Sequence, residues 1–488
     1  MSFSSLRRDW SANPLREMLA GAVATFALIP EVIAFSFAAG VDPQVGLFAS
    51  FVIGIVIAFT GGRPAMISAA AGSVALVAAP LMHAHGLPYL LAAGLLAGII
   101  QIVFGLLRLG VLMRFVSKSV RTGFVNALAI LIFAAQVPHI IGGGWISYAV
   151  LAAGLAIIYI APRLTTAVPS PLICILVLTI ACIAFDLPVH TVADLGQLPD
   201  SLPTFAWPTV PPTLQTLGII AGPALAIAMV GLLESMMTAS VVDDLTDTPS
   251  SKNRECTGLG FANAAASLFG GIAGCGMIGQ TVSNVKYGGR GRLSTLFAGA
   301  FLLVLMVLLK PWVSQVPVAA LVAIMVMVSI DTFDWSSLRT VLVHPKMSSA
   351  VMLVTVAVTV ATANLALGVT VGVLLSGVFF AFKVARLLQV VTEPDAVAGT
   401  LRYRVSGQVF FASADVFVDA FDVLKADGRA VIIDVSQAHF WDITAVAALD
   451  KVVQRFAAHG VKVEVAGINR ASSTLIERLD GAVGAGIS

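Results

Sequence analysis

The chain has 488 residues, of which 58% are hydrophobic and 11% are charged, and its formal net charge is +2. Soluble domains are about 25% charged, so this composition excludes an ordinary soluble protein and is typical of a polytopic membrane protein. A net charge this close to zero gives no indication of a nucleic-acid partner, and we expect none.

Fourteen apolar segments lie within the first 388 residues, and each is a candidate membrane span because about 20 apolar residues cross a bilayer. The third and the tenth are short and rich in Gly, Ala and Ser, so we expect them to be broken helices. The predicted spans are residues 19–38, 44–60, 67–82, 88–107, 119–137, 145–161, 168–186, 214–241, 256–270, 274–287, 293–310, 317–331, 347–363 and 364–386.

Two acidic residues, Glu31 and Glu234, lie near the middle of long apolar runs. A carboxylate at bilayer depth costs roughly 2.5–3.5 kcal/mol, so it rarely faces lipid. The two residues are 203 positions apart, and the same offset maps the small-residue stretch 68–73 onto residues 271–276. Matching acids and matching stretches of weak helix formers predict a transporter built from two repeats.

Basic residues predict the orientation, because cytoplasmic loops carry an excess of Lys and Arg. If the N-terminal tail is cytoplasmic, the basic loops fall on the same side, with Lys310 as the exception. The long loop 187–213 has no Lys or Arg and falls outside. An even number of spans then places both termini in the cytoplasm. We therefore expect a multi-pass protein of the cell inner membrane.

The pattern changes near residue 390, where apolar and polar residues begin to alternate. Strands are predicted at residues 401–405, 407–412, 430–436 and 461–467, and helices at 414–426, 443–460 and 472–482. Strands that alternate with helices indicate a small cytoplasmic α/β domain. The predicted divisions are a transmembrane transport domain at 1–388, a linker at 389–397 and the α/β domain at 398–488.

The reactive side chains give no sign of an enzyme. No nucleophile is followed by a base in a recognisable pattern, and the four cysteines lack the spacing of metal ligands. We expect the cysteines to be free, small hydrophobic residues, and we expect neither a metal nor a cofactor. These cysteines are Cys174, Cys182, Cys256 and Cys275.

Several short motifs occur together along the chain. They are Ile29-Pro30-Glu31, Ile67 to Gly72, Gly231 to Ser235, Asn253-Arg254-Glu255 and Phe269-Gly270-Gly271. In this combination they resemble the SulP (sulfate permease) family of anion transporters, whose members carry a C-terminal STAS domain. The resemblance implies a 7+7 inverted repeat, with a core of spans 1–4 and 8–11 and a gate of spans 5–7 and 12–14. It also implies a homodimer in which the core moves against the gate to carry a small anion.

Two positions depart from the family pattern: many members have Gln where this chain has Glu31, and Arg where it has Gln280. The extra carboxylate repels an anion unless it is protonated, and the missing arginine removes a cationic partner. Both changes favour proton-coupled symport of a carboxylate-type anion, such as a dicarboxylate or bicarbonate. The alternatives are a sodium-coupled bicarbonate or sulfate transporter, and an anion sensor or channel that signals through the STAS domain.

A helix N-terminus carries free N–H groups and roughly half a positive charge, so two such ends can hold an anion without a basic side chain. We expect residues 68–73 and 274–281 to supply these ends, unless their small residues serve only close helix packing. Glu31 and Glu234 are the candidates for ion coupling, unless they only hold the helices in place. The expected substrate-binding residues are Glu31, Phe35, Ser68, Ala71, Gly72, Ser73, Gly276, Gly279, Gln280 and Thr281.

Overall fold

The chain divides into two units, residues 1–373 and 374–488, and each is described by itself. In this computed structural model, the described residues are 10, 13–110, 116–141, 144–164, 170–195, 202–343, 346–394, 400–426 and 429–469.

The helical part of the chain repeats one order of elements in its two halves: two helices, a two-residue strand and five more helices, with short extra helices α8 and α14. The first half contains α1 (Pro14–Ala39), α2 (Pro43–Thr60), β1 (Ser68–Ala69), α3 (Gly72–His85), α4 (Leu87–Leu106), α5 (Lys118–Ile141), α6 (Trp145–Leu164), α7 (Ser170–Ala184) and the one-turn α8 (Val192–Leu195). The second half contains α9 (Leu214–Thr246), α10 (Lys252–Leu268), β2 (Cys275–Gly276), α11 (Ile278–Lys286), α12 (Arg292–Val313), α13 (Val318–Thr332), α14 (Ser336–Val343), α15 (Lys346–Thr362) and α16 (Leu365–Ala385).

Each predicted span overlaps one of these helices. Within the described ranges, nine helical stretches are long and apolar enough to cross a membrane, and α7 and α15 are shorter apolar helices. Helices α3 and α11 have only 14 and 9 residues and follow strands, as expected for broken helices. The fold is therefore that of a polytopic helical membrane protein, while the count of fourteen spans remains a prediction.

The helices of the first unit pack in two groups. Helices α1–α4 pack with α9–α12, whereas α5–α7 pack with α13, and α15 packs against α5. We call the first group the core and the second group the gate, as in the resemblance described above. The two groups meet where α1 contacts α7 and α13, and where α3 contacts α5.

Glycine contacts explain how the core helices approach one another so closely. A Cβ atom at Gly98 of α4 would lie 2.7 Å from the Gly260 carbonyl oxygen of α10. A Cβ atom at Gly54 of α2 would lie 2.9 Å from the Gly299 Cα atom of α12. Membrane helices gain stability from such close packing because lipid offers no hydrophobic drive for their association.

The second unit contains a four-stranded sheet in the order β3–β4–β5–β6. Strand β3 is antiparallel to β4, and the other two pairs are parallel. Large aromatic side chains, Tyr403, Phe417, Phe421 and Phe456, fill its core with at most 1% of their surface exposed. The elements are β3 (Gln389–Pro394), β4 (Thr400–Val409), α17 (Ala414–Asp419), a 3₁₀ helix (Val423–Ala426), β5 (Ala430–Phe440), α18 (Ile443–Ala457) and β6 (Val463–Ala466).

Three details of this α/β unit differ from the sequence-based expectations. Residues 389–394 of the predicted linker form β3, because β4 offers them a complete antiparallel partner. The two strands expected at 401–405 and 407–412 form the single strand β4: Gly407 adopts φ +105° beside a register shift, so the strand bends instead of ending. The helix expected at 414–426 is divided into α17 and the 3₁₀ helix. The helix expected at 472–482 lies outside the described residues.

Candidate functional site

The two helix breaks meet at a short antiparallel strand pair inside the core. Ser68 pairs with Gly276, and Ala69 pairs with Cys275. The Met277 N–H donates to the Ile67 carbonyl at 2.8 Å, while the Thr281 hydroxyl oxygen accepts from the Ile67 N–H at 2.9 Å. Each break thus satisfies backbone groups of the other, as non-helical backbone in a membrane protein requires.

Helices α3 and α11 begin directly after these strands, at Gly72 and Ile278. The two helix starts are 206 positions apart, three more than Glu31 and Glu234. The stretch 271–276 is therefore not the structural counterpart of 68–73, because the second half contains three additional residues between its acid and its broken helix.

A cavity of about 610 Å³ lies between the core and the gate, and both broken helices open onto it with their first turns. Its core wall comes from α1, α3, α9 and α11, and its gate wall comes from α5, α7 and α13. Side chains within the described parts of the chain leave the first turns of α3 and α11 uncapped. Two sets of helix N-terminal N–H groups therefore border one space.

The cavity wall includes seven of the residues singled out from the sequence. They are Glu31, Phe35, Gly72, Ser73, Glu234, Gly279 and Gln280. Four others lie behind the wall: Ser68 and Gly276 pair in the strands, Ala71 is buried before α3, and Thr281 bonds to Ile67. Ser68, Ala71 and Gly276 precede the helix starts, and Thr281 follows the first three residues of α11.

Glu234 connects α9 to both broken helices. Its carboxylate accepts a hydrogen bond from the Ser73 hydroxyl at the start of α3 and another from the Cys275 thiol, at 3.0 Å, in β2. Ser235 and Thr238 reinforce this junction, since their hydroxyl groups bond the Gly276 N–H and carbonyl, each at 2.9 Å. This segment of α9 holds the strand crossing in place, and Glu234 also faces the cavity.

Glu31 faces the same cavity with fewer constraints. The Gln280 amide approaches its carboxyl group. The Gln280 amide nitrogen is buried but makes no hydrogen bond of normal geometry to any residue that the structure describes. The phenyl ring of Phe35, one helical turn after Glu31, packs over Gly72, where a Cβ atom would lie 2.6 Å from the ring. The amide nitrogen of Gln280 is therefore a buried hydrogen-bond donor in a residue of the cavity wall, whereas Phe35 covers the start of α3.

A third acid, Asp331, was missed in the sequence. It lines the gate wall near the end of α13, and its side chain is exposed to the open space. Its signal was a single acid at the end of the apolar run 321–330, which is easily taken for the solvated end of a span. The described residues that line the cavity therefore include three carboxylates and no Lys, Arg or His.

The four cysteines are free and buried. This agrees with their interpretation as small hydrophobic residues, although the Cys275 thiol also serves as a hydrogen-bond donor to Glu234.

Comparison with known proteins identifies the family of the chain. Residues 15–150 and 143–355 match the Sulfate permease family, and residues 390–481 match the STAS domain. YbaR of Bacillus subtilis (strain 168), provisionally named a sulfate transporter, is 51% identical over 97% of this chain and 99% of its own length. The bicarbonate transporter BicA of Picosynechococcus sp. is 27% identical over 90% of this chain and 86% of its own. The structure of the murine anion transporter Slc26a9 in its inward-facing state shares the fold, with a TM-score of 0.84, 18% identity and coverage of 96% of this chain and 87% of its own. The chain belongs to the sulfate permease family of anion transporters and carries a C-terminal STAS domain.

Proposed function

We propose that the protein is a proton-coupled symporter that carries a carboxylate-type anion, a dicarboxylate or bicarbonate, across the inner membrane. The observation that supports this proposal is the make-up of one cavity. Two helix N-termini face it, three carboxylates line it, and no basic side chain does so among the described residues.

The anion binds between the first turns of α3 and α11. The N–H groups near Gly72 and Ser73 approach from one side, and those near Gly279 and Gln280 approach from the other. Each helix end contributes a partial positive charge, and together they replace a basic side chain. The amide nitrogen of Gln280, beside the Glu31 carboxyl group, adds a neutral donor, which suits the planar oxygens of a carboxylate or bicarbonate.

Protonation of Glu31 removes the electrostatic repulsion between its carboxylate and the bound anion. Two unit charges about 4 Å apart repel by roughly 4 kcal/mol at an effective dielectric constant of about 20. An anion beside Glu31 therefore binds far better when that carboxyl group is protonated. Glu31 is the principal coupling residue in this mechanism, since Glu234 already accepts hydrogen bonds from Ser73 and Cys275 and so also positions the helix ends.

Movement of the core against the gate carries the anion across the membrane. Glu31, Glu234 and the two helix ends belong to the core and travel together, whereas Asp331 belongs to the gate. We propose that the transport domain ends near residue 388, that the STAS domain from about residue 398 lies in the cytoplasm with both termini, and that the protein works as a homodimer.

The relatives are named for different anions, which supports a second candidate function, sodium-coupled transport of bicarbonate or sulfate. The name of BicA supports bicarbonate, and the name of YbaR supports sulfate. Sodium-coupled transport of either anion would also use an acidic cavity, because a bound cation neutralises a carboxylate as a proton does.

Proteoliposomes with purified protein distinguish these candidates. Uptake of labelled succinate, bicarbonate and sulfate would be measured with an imposed proton gradient, with a sodium gradient, and with neither. We expect an inward proton gradient to concentrate succinate or bicarbonate and a sodium gradient to have little effect. Accumulation driven by sodium alone, or sulfate as the preferred substrate, would contradict the proposal.

A further inference from the structure

A second cavity, of about 600 Å³, lies next to the acidic one. Met237 of α9 lines both cavities, and along the same helix Glu234 faces the first while Ser240 faces the second. The two spaces therefore follow one another along α9. The second cavity is bounded by Arg121 of the gate helix α5 and by Lys252 of the core helix α10.

The charges of the second cavity are the reverse of those in the first. Lys252 forms a salt bridge with Asp243 at 2.9 Å, but Asp243 also pairs with Arg63 at 3.2 Å. The Asp243 carboxylate is therefore shared between Lys252 and Arg63. The side chain of Arg121 is exposed and makes no hydrogen bond or ion pair to any residue in the described ranges. The described residues that line this cavity include two cations, Arg121 and Lys252, and no acid, and Lys252 is already paired with Asp243.

We propose that this second cavity is an anion vestibule, in which Arg121 and Lys252 attract the substrate anion to the end of an otherwise acidic pathway. The inference rests on the proposed function, because it assumes that an anion passes the acidic cavity. A cleft lined by one sign of charge raises the local concentration of the opposite ion by a factor of 10 to 10³. Such a vestibule offsets the repulsion that the three carboxylates exert on an approaching anion.

The position of the vestibule indicates the side of the membrane on which it acts. Its basic residues lie in the segments that the charge pattern assigns to the cytoplasm, so it serves anion exchange at the inner face. Arg121 belongs to the gate and Lys252 to the core, so the movement of core against gate changes the distance between the two cations. The vestibule is therefore strongest as an anion site in only one of the two transport states.

The test measures the local potential and needs no knowledge of the substrate. Ser240→Cys places a thiol in the vestibule, while the four native cysteines are buried and serve as an unlabelled background. In nanodiscs of phosphatidylcholine, the rates of reaction with an anionic and a cationic methanethiosulfonate reagent are compared at low and at high salt. Each rate is divided by that for a free thiol.

We expect the anionic reagent to react faster at low salt, and Arg121→Gln to lower the anionic-to-cationic ratio roughly tenfold. Arg121→Lys, which keeps the charge, should leave the ratio unchanged and also reports whether the position tolerates substitution. Arg339→Gln is the matched control, since it removes an exposed arginine of α14 that does not line the vestibule. High salt should abolish the difference between the reagents, because the Debye length falls to about 3 Å at 1 M.

The proposal would be contradicted if Arg121→Gln changed the anionic-to-cationic rate ratio by less than twofold. It would also be contradicted if the cationic reagent reacted faster than the anionic one. Nanodiscs that also contain phosphatidylglycerol test whether a lipid headgroup occupies the site instead. Loss of the anionic preference in these discs would assign the cavity to lipid and would also overturn the proposal. None of these rates depends on the coupling ion, so failure of proton coupling leaves this test intact.

Discussion

The first turns of α3 and α11 begin at the same strand pair, but different groups surround them. At α3, the ring of Phe35 covers Gly72, and Ser73 is engaged by Glu234. At α11, no described residue outside the helix itself lies within 4 Å of the position that a Cβ atom of Gly279 would take. The next residue, Gln280, keeps its amide nitrogen unbonded within the described structure. The start of α3 is thus covered by Phe35 and held by Glu234. The start of α11 is open at Gly279, and the Gln280 amide nitrogen there is a hydrogen-bond donor without a partner of normal geometry among the described residues.

This difference indicates how a repeated fold becomes an asymmetric site. Each half supplies a short strand followed by a helix N-terminus. Side chains from neighbouring helices then determine which of the two helix N-termini contacts the substrate closely. We infer that α3 mainly completes the field of the two helix ends, whereas α11 makes the discriminating contacts.

The largest effect is expected at the acid beside the open end. Glu31→Gln should abolish proton-driven accumulation, at least tenfold below wild type, and should spare gradient-free exchange because the neutral amide resembles the protonated carboxyl group. Glu234→Gln keeps an acceptor for Ser73 and Cys275, so accumulation should fall only severalfold. Accumulation ratios in proteoliposomes check both, with Asp244→Asn, an exposed carboxylate of α9, as the control. If both Glu variants still concentrate substrate, neither acid is the coupling site.

The second effect comes from filling the open end. Gly279→Leu places its side chain in free space, so the protein should fold normally and lose about ten- to a hundredfold in transport rate. Gly72→Ala should instead lower stability, by about 1–3 kcal/mol, because its Cβ atom would meet the Phe35 ring. Transport rate and thermal unfolding of the purified variants separate these outcomes. The control is Gly218→Leu, at an exposed site of α9 where none of the described residues outside the helix lies within 4 Å of the Cβ position. Normal transport by a folded Gly279→Leu protein would exclude the backbone site.

A smaller change, in selectivity, is expected from Gln280→Arg. The fixed cation stabilises the ionised form of Glu31 and attracts small inorganic anions, with an interaction of roughly 4 kcal/mol at about 4 Å and an effective dielectric constant of about 20. Uptake should become less dependent on external pH, and chloride or sulfate should compete severalfold better. Gln280→Lys tests whether charge alone suffices. An unchanged pH profile together with unchanged competition would show that position 280 does not meet the substrate.

The smallest effect compares a buried hydroxyl group of α11 with a buried hydroxyl group of β1. Thr281→Val removes the acceptor of the buried Ile67 N–H and should cost about 1–3 kcal/mol of stability. Ser68→Ala should be nearly neutral, since the buried Ser68 hydroxyl has no partner within the described residues. The shift of the thermal unfolding midpoint in detergent measures both. Equal losses for the two variants would argue against the asymmetry between the halves.

Much of the fold could be predicted because membrane helices are encoded by length and apolarity. The helix of each predicted span is present, and the stretches of Gly, Ala and Ser marked the two breaks. Alternation of apolar and polar residues also predicts the α/β unit, although it indicates two strands where one strand bends at Gly407. Local patterns suffice for such elements since each is largely determined by its own residues.

The site was only partly predictable because it depends on contacts between distant segments. The pairing of Ser68 with Gly276 places both residues behind the cavity wall, and no local pattern encodes a two-residue strand. Asp331 faces the cavity only because α13 packs beside α1. The three-residue difference between the halves could not be seen from the acids alone, since the insertion lies between Glu234 and Ile278.

The strand pair also constrains how the protein can be made. Ser68 and Ala69 find their backbone partners only at Cys275 and Gly276, which a ribosome adds about 200 residues later. Until then, the first half holds unpaired N–H and C=O groups within the bilayer, at a cost of several kcal/mol each. Membrane insertion of α1–α4 must therefore precede their final packing, and a chain released before residue 276 would remain a substrate for quality-control proteases.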